Sequence, residues 1–342
     1  MIFKIHLVIQ FILMVVALSC FDLSKLDKVS FRNDIPGQKV EIFVGDNLFT
    51  CLIYPGNLEK QSLYPIMSAS GKIITRGYPL NPRPYERADA PHQLGLWFNY
   101  GNVNGLDFWN NSDLVPADQK SRYGSIKFRK ILSQNSKSGE LKVSSAWVDF
   151  NGNVLLNEET SYIFGGTSNS RSIIYTAVLR AVQTVTFHES KEGMLAIRMD
   201  RAFEEPAKKP AKLIDANGIA SETPTINNDG LNGIYHNANG FVGADVWGKR
   251  SSWVSLRAKK DGELISITIF DNKQNLNYPA WWHTRGYGLF AVNNLGGREF
   301  DQKASEVKIV LKPGQILTLK YKIVIAGDLS DKEINKIARN FK

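Results

Sequence analysis

The chain has 342 residues, 43% of them hydrophobic and 22% charged, and its 42 Lys and Arg outweigh 33 Asp and Glu for a formal net charge of +9. That balance excludes a disordered chain and supplies enough apolar side chains for one large domain or two smaller ones. Two cysteines make no disulfide framework, so the fold must rest on its core.

The N-terminus sets the compartment. Lys4 begins a short basic region, Leu7 to Leu18 is apolar apart from Gln10, and Ala17-Leu18-Ser19 offers small residues where a signal peptidase reads. About twenty apolar residues are needed for a membrane-spanning helix, and this run is shorter. Residues 1–19 are therefore expected to be a signal peptide and the protein to be exported: periplasmic, or membrane-anchored if Cys20 is the acylated cysteine of a lipoprotein. With Ala17 where that pattern prefers Leu, acylation stays an alternative. An unacylated Cys20 leaves a disulfide to Cys51 open; otherwise Cys51, in a strand-like run, reads as a buried thiol.

The rest reads as short alternating segments between Gly, Asn, Asp and Ser turns. Val40, Ile42 and Val44 alternate, Gly45-Asp46-Asn47 turns, and Leu48 to Tyr54 returns, a hairpin pattern. Strands are expected over 126–132 and 141–150 around the polar loop 133–139, then over 154–164, 172–187, 195–203, 252–257, 264–270, 288–292, 307–311 and 316–325. Nothing supplies the crossover helices of a parallel sheet, so the pattern predicts an all-β, large antiparallel β-sandwich over 20–327. A C-terminal helix is expected within 328–342, where Ser330 and Glu333 form a capping box and Ile334, Ile337, Ala338 and Phe341 share a face. Ala207 to Gly240 reads as a long excursion, a lid or a disordered loop. The densest basic group, Lys208, Lys209 and Lys212, lies in it beside Pro206 and Pro210, which argues for a solvated loop and against nucleic acid. Attraction to an acidic polysaccharide stays open.

Two blocks carry the chemistry. From Arg83 to Asn111 the sequence RPYERADAPHQLGLWFNYGNVNGLDFWNN mixes Glu86, Arg87, Asp89 and His92 with Gln93, Trp97, Asn104, Asp107 and Trp109, a poor core segment and a plausible site. Trp281-Trp282-His283-Thr284-Arg285-Gly286-Tyr287-Gly288 is the second, since exposed Trp beside His and Arg is costly unless used. Weaker blocks are Trp247-Gly248-Lys249-Arg250 and Lys191-Glu192-Gly193, the latter expected to be a charged hairpin turn.

Together with Tyr54-Pro55-Gly56-Asn57, Tyr64-Pro65, Thr75-Arg76-Gly77-Tyr78-Pro79 and Ile197-Arg198, these blocks resemble, in order over most of 40–325, the bacterial family catalogued as methane oxygenase PmoA. The resemblance implies a soluble exported protein common in bacteria that degrade polysaccharides and, jointly with the strand pattern, a galactose-mutarotase-like supersandwich. The family motif Asp-His-Pro-His-His before Gly-Leu-Trp reads here Asp89-Ala90-Pro91-His92-Gln93 before Gly95-Leu96-Trp97. Two histidines are therefore missing, and a divalent metal would need Asp89, Glu86 or Asp107 beside His92 and His283.

Three readings follow. In the first, a carbohydrate-active enzyme uses His92 or His283 as proton donor or acceptor, with Asp89, Glu86 or Asp107 as partner carboxylate. Arg87 and Arg285 would hold a carboxylate or sugar oxygen, Trp97, Trp109 or Trp282 would face a pyranose ring, and Gln93, Asn104, Trp247, Arg250 and Tyr287 would line the site. No cofactor is required. The second is a non-catalytic glycan-binding surface lipoprotein. The third is the metal-dependent oxygenase that the family's name implies.

Overall fold

The computed structural model describes residues 26–342, so the signal region and Cys20 lie outside the described residues. Strands β1 (Val29–Asp34), β2 (Lys39–Val44), β3 (Asn47–Ile53), β4 (Ser62–Ile66) and β5 (Leu96–Tyr100) come first. They are followed by β6 (Ser125–Asn135), β7 (Glu140–Val148), β8 (Val154–Thr167), β9 (Ser170–Ala181), β10 (Val185–Phe187) and β11 (Gly193–Arg198). The third group is β12 (Ile234–Asn237), β13 (Trp253–Lys260), β14 (Glu263–Asp271), β15 (Trp281–Arg285), β16 (Leu289–Asn293), β17 (Ile309–Leu311) and β18 (Ile316–Ala326), before helix α1 (Asp331–Asn340).

They form two eight-stranded sheets, β1-β2-β3-β4-β5-β11-β16-β15 and β12-β13-β14-β18-β9-β8-β7-β6, with antiparallel strand pairing throughout. The sheets share one apolar core. Phe98 of the first stacks on Tyr175 of the second with ring centroids 5.5 Å apart, and Phe49 meets Phe164 edge-on at 6.0 Å. The all-β antiparallel sandwich with its short C-terminal helix is thus the observed architecture.

The two sheets differ in what covers them. β9 alternates buried and half-exposed positions along nearly its whole length, as a strand with one wet face must. β5, β11 and β16 are buried at every position, because loops pack on their outer face. The excursion after Ala207 supplies part of that cover: Tyr85 N–H donates to Ile214 O, Ile214 N–H to Glu86 O and Ala88 N–H to Lys212 O. It is a folded flap with its own bridges, Ala211 to Thr225 and Ile214 to Ala220, not a disordered loop.

The segment expected as one strand over 172–187 is two. β9 ends at Ala181, and β10 leaves to pair with β17 in a separate two-stranded sheet, where the Asn104 side chain accepts from Thr186 N–H at 2.7 Å. The capping box at the start of α1 is present, and Ile334 and Phe341 seat the helix on Trp253, Phe270 and Val324. Among the described residues no helix is long and apolar enough to cross a membrane.

Candidate active site

Strand register brings the two sequence blocks onto one face. Trp97 lies opposite Ala196, Ala196 opposite Ala291, and Ala291 opposite His283, one row across four strands. The next row sets Arg198 beside Leu289 and Leu289 beside Arg285. Directly paired residues share a face of a sheet, so these side chains rise together on the outer side while Trp282, Phe290 and Phe98 point into the core. Gly95 allows the register: its φ is +53°, and a Cβ there would lie 2.2 Å from Leu63 O.

Small alanines at the centre of the row leave a hollow, and Trp109 fills it. Its ring meets Trp97 edge-on at 5.3 Å and stacks on His283 at 6.5 Å. Asp107 aims it, accepting Trp109 N–H at 2.8 Å and Asn110 N–H at 3.0 Å on one oxygen and the Asn110 amide on the other. Both indoles are 1% exposed. Neither offers a free face to a sugar, contrary to the expectation; they are the wall behind the site.

His283 is fixed by its neighbours. Nδ1–H donates to Lys191 O at 3.0 Å, and Nε2 accepts Arg285 Nε–H at 3.1 Å. Burial and the nearby Arg285 cation hold the ring's pKa down to about 3, so it is neutral with both nitrogens engaged. Such a ring positions Arg285, and in this arrangement neither nitrogen is free to take or give a proton.

The group able to move a proton is Glu192, which the sequence presented as part of a turn. It stands just before β11, 3.5 Å from His283 Nδ1. Burial pushes its carboxyl up to about 7, aided by Asp107 and Glu299 and opposed by Lys191 and Arg285. The loop that carries it is tied down residue by residue. Glu189 accepts Arg298 N–H and Val307 N–H, Ser190 O accepts from Asn293, Lys191 O from His283, and Glu192 O from Gly101 N–H.

Across the face sits a carboxylate of opposite character. Asp89 Oδ1 accepts from Arg76 and from Arg198, each at 2.8 Å, and its side chain remains 41% exposed. It is desolvated in part, but Arg198 and Arg76 win and hold its pKa below the usual carboxylate range. Arg76 also donates to the carbonyls of Arg87, Asp89, Ala90 and Gln93, stapling this loop to the sheet. Gln93 accepts from Arg198, whose guanidinium lies 4.7 Å from the Tyr287 ring centroid.

His92 stands on this side with Nε2 buried and without a partner. Burial and the Lys60, Arg76 and Arg198 cations push its pKa down to about 3. Lys60, also unforeseen, is 3% exposed and lies 5.9 Å from the Trp97 ring centroid. Burial lowers it to about 8.

Other expected site residues have structural work. Glu86 is saturated by Gly77, Tyr78 and Arg83 N–H and by the Arg83 side chain. Arg87 is committed to buried Glu204 at 2.8 Å. Asn104 caps the β10 turn, Trp282 is in the core, and Arg250 clamps the carbonyls of Asn277 and Pro279. Trp247 does reach the face, with the Arg285 guanidinium 4.9 Å above its ring.

A divalent metal does not fit this donor set. Among the described residues no three His, Cys, Asp or Glu converge as ligands; Glu86, Asp107 and both nitrogens of His283 are spent, and His92 is ringed by cations. A separate hollow of about 360 Å³ beside Arg83, Asp200 and Lys260 holds charges that pair with one another. Cys51 is a buried free thiol, pushed up to about 11 by burial.

Among solved structures, the galactosidase domain of the α-galactosidase-sucrose kinase AgaSK aligns at 10% identity and TM-score 0.39, over 87% of this chain and 42% of that one. The GH36 α-galactosidase AgaA from Geobacillus stearothermophilus aligns at 9% and 0.37, over 88% and 40%. A galactose mutarotase-like protein from Clostridium acetobutylicum aligns at 10% and 0.31, over 88% and 99%. The chain spans about two-fifths of the two galactosidases. No curated protein matches it. The matching family model spans residues 39–339 and is described as a family of unknown function, DUF6807, and to that family the chain belongs.

Proposed function

We propose that this is an exported carbohydrate-active enzyme that performs acid–base chemistry on a glycoside or sugar derivative at the outer face of the first sheet. Glu192 is the proton donor and Asp89 the permanent carboxylate. The carrying observation is the contrast between them. One carboxyl is raised to about 7 by burial, the other is held ionised by two guanidinium groups, and carboxyls driven apart in this way divide acid and base work. Between them Tyr287, Arg285 and Gln93 offer hydrogen-bonding groups in front of a wall built on Leu289 and Trp109, a mixture suited to a polyhydroxylated ring. Kinship with the methane oxygenase PmoA family is part of this reading; metal-dependent oxygenation is not, because no three His, Cys, Asp or Glu among the described residues converge as ligands.

Turnover of glycan-derived substrates by wild type and Glu192→Gln tests it. Loss of at least about a hundredfold in kcat, with a wild-type profile falling above pH 7 and that limb absent from the residual activity of the variant, is the expected result. Binding without turnover in wild type would instead establish the glycan-binding reading, which the locked His283 favours. Export follows from the sequence of residues 1–20. Cell fractionation of Cys20→Ser separates the two forms, since an acylated protein leaves the membrane and a soluble one is unchanged.

A further inference from the structure

The geometry points to an anionic sugar as the ligand of this face, its acid group docking on the terminal nitrogens of Arg285. This rests on the proposed carbohydrate site and names its substrate class. Arg285 uses Nε–H on His283, and its guanidinium carbon lies over the Trp247 ring, 4.9 Å from the centroid. Its two terminal nitrogens have neither a hydrogen-bond acceptor nor an ion-pair partner among the described residues. A guanidinium fixed at one edge and set over an indole presents its remaining fork ready-made, the geometry that takes a carboxylate or phosphate in two parallel bonds.

No carboxylate among the described residues comes within ion-pair distance of that fork. The carboxyls nearby, Glu192 and Glu205, are both shifted toward the neutral form by burial, and neither pairs with Arg285. Glu204 belongs to Arg87 and Asp89 to Arg76 and Arg198. Lys60, on the same side of the sheet, likewise makes no ion pair among the described residues. No carboxylate thus stands within ion-pair distance of the Arg285 fork, and an arriving anion supplies the partner that the protein leaves out. The neutral Nδ1–H tautomer of His283 keeps an acceptor toward Arg285 Nε, so the fork cannot turn inward.

Calorimetric titration of the purified chain with glucuronate, galacturonate, glucose 6-phosphate, glucose and galactose decides the matter, at low and at physiological salt. An acidic sugar should bind about tenfold or more tightly than its neutral counterpart. That preference should shrink with salt and be lost in Arg285→Gln. The uronate and phosphate arms identify which acid is meant. Equal affinity for acidic and neutral sugars in wild type overturns this inference and leaves the carbohydrate site standing. Failure to bind any sugar overturns both. The wild-type preference and its salt dependence need no variant, so the outcome stands even if Arg285→Gln disturbs His283.

Discussion

Lys60 is a costly residue on the site face. Its side chain is 3% exposed, and burial lowers its pKa from 10.5 to about 8 against the pull of Glu59 and Asp107. At pH 7 it is still charged, so the fold carries an unneutralised buried cation worth on the order of 3 kcal/mol of lost stability. Met matches its shape and removes the charge. Lys60→Met should therefore raise stability at pH 7 by about 1–3 kcal/mol, or several degrees in Tm, and the gain should vanish as pH approaches 10.5, where Lys60 is neutral in both states. Urea unfolding at pH 7 and pH 10 checks this. A variant less stable at pH 7 would mean that the ammonium has a partner inside the fold. Glycan turnover that falls as stability rises would place Lys60 in the site, a buried charge kept for what it does to a ligand.

At the scale of elements, legibility followed the number of wet faces. β2, and β7 over its first part, have period-two patterns because one face is less covered than the other, and the capping box of α1 is a local signal. β5 and β15 were not read as strands. Leu96-Trp97-Phe98-Asn99-Tyr100 is buried at every position, so its outward Trp97 and Asn99 look no more polar than its inward Leu96 and Phe98. The alternation is erased by the loops on top, and that cover is what builds a site. The blocks were accordingly legible by their mixture of charge and aromatics, while roles inside them were not. Asp107 and Glu86 look as acidic as Asp89 in sequence, and only the placement of Trp109 N–H, Gly77 N–H and the two arginines tells a turn cap and a saturated anchor from an open carboxylate. Glu192 was hidden because Lys-Glu-Gly before a strand is ordinary turn composition. Its character comes first from burial and then from Asp107 and Glu299, supplied by segments elsewhere in the chain.

For the whole molecule, buried titrating groups set how stability depends on pH. His92 and His283, both held near 3 in the fold and near 6.5 when unfolded, bind protons only in the unfolded chain over that range, so their contributions rise with pH from about 3 to about 6.5. Glu59, lowered to about 2, adds to the rise up to its unfolded value near 4.5. Asp271 and Glu192 run the other way. With folded values of about 6 and about 7, they are fully stabilising only below their unfolded values near 4 and lose that contribution as pH climbs through the folded ones. Two rising and two falling groups oppose each other between about pH 4.5 and 6, which predicts a steep gain below pH 4 followed by a plateau. Lys60 adds a further rise from about pH 8, which the Cys51 thiol, raised to about 11, offsets above about pH 9. Glu192→Gln breaks the balance in a calculable way. The amide resembles the protonated acid, so variant and wild type should be about equally stable at pH 4, and the variant should pull ahead by about 2–3 kcal/mol between pH 4.5 and 7. Urea midpoints across that range measure the gap. A gap that stays constant would mean that Glu192 titrates like a surface carboxylate, and the acid proposed for this site would be lost with it.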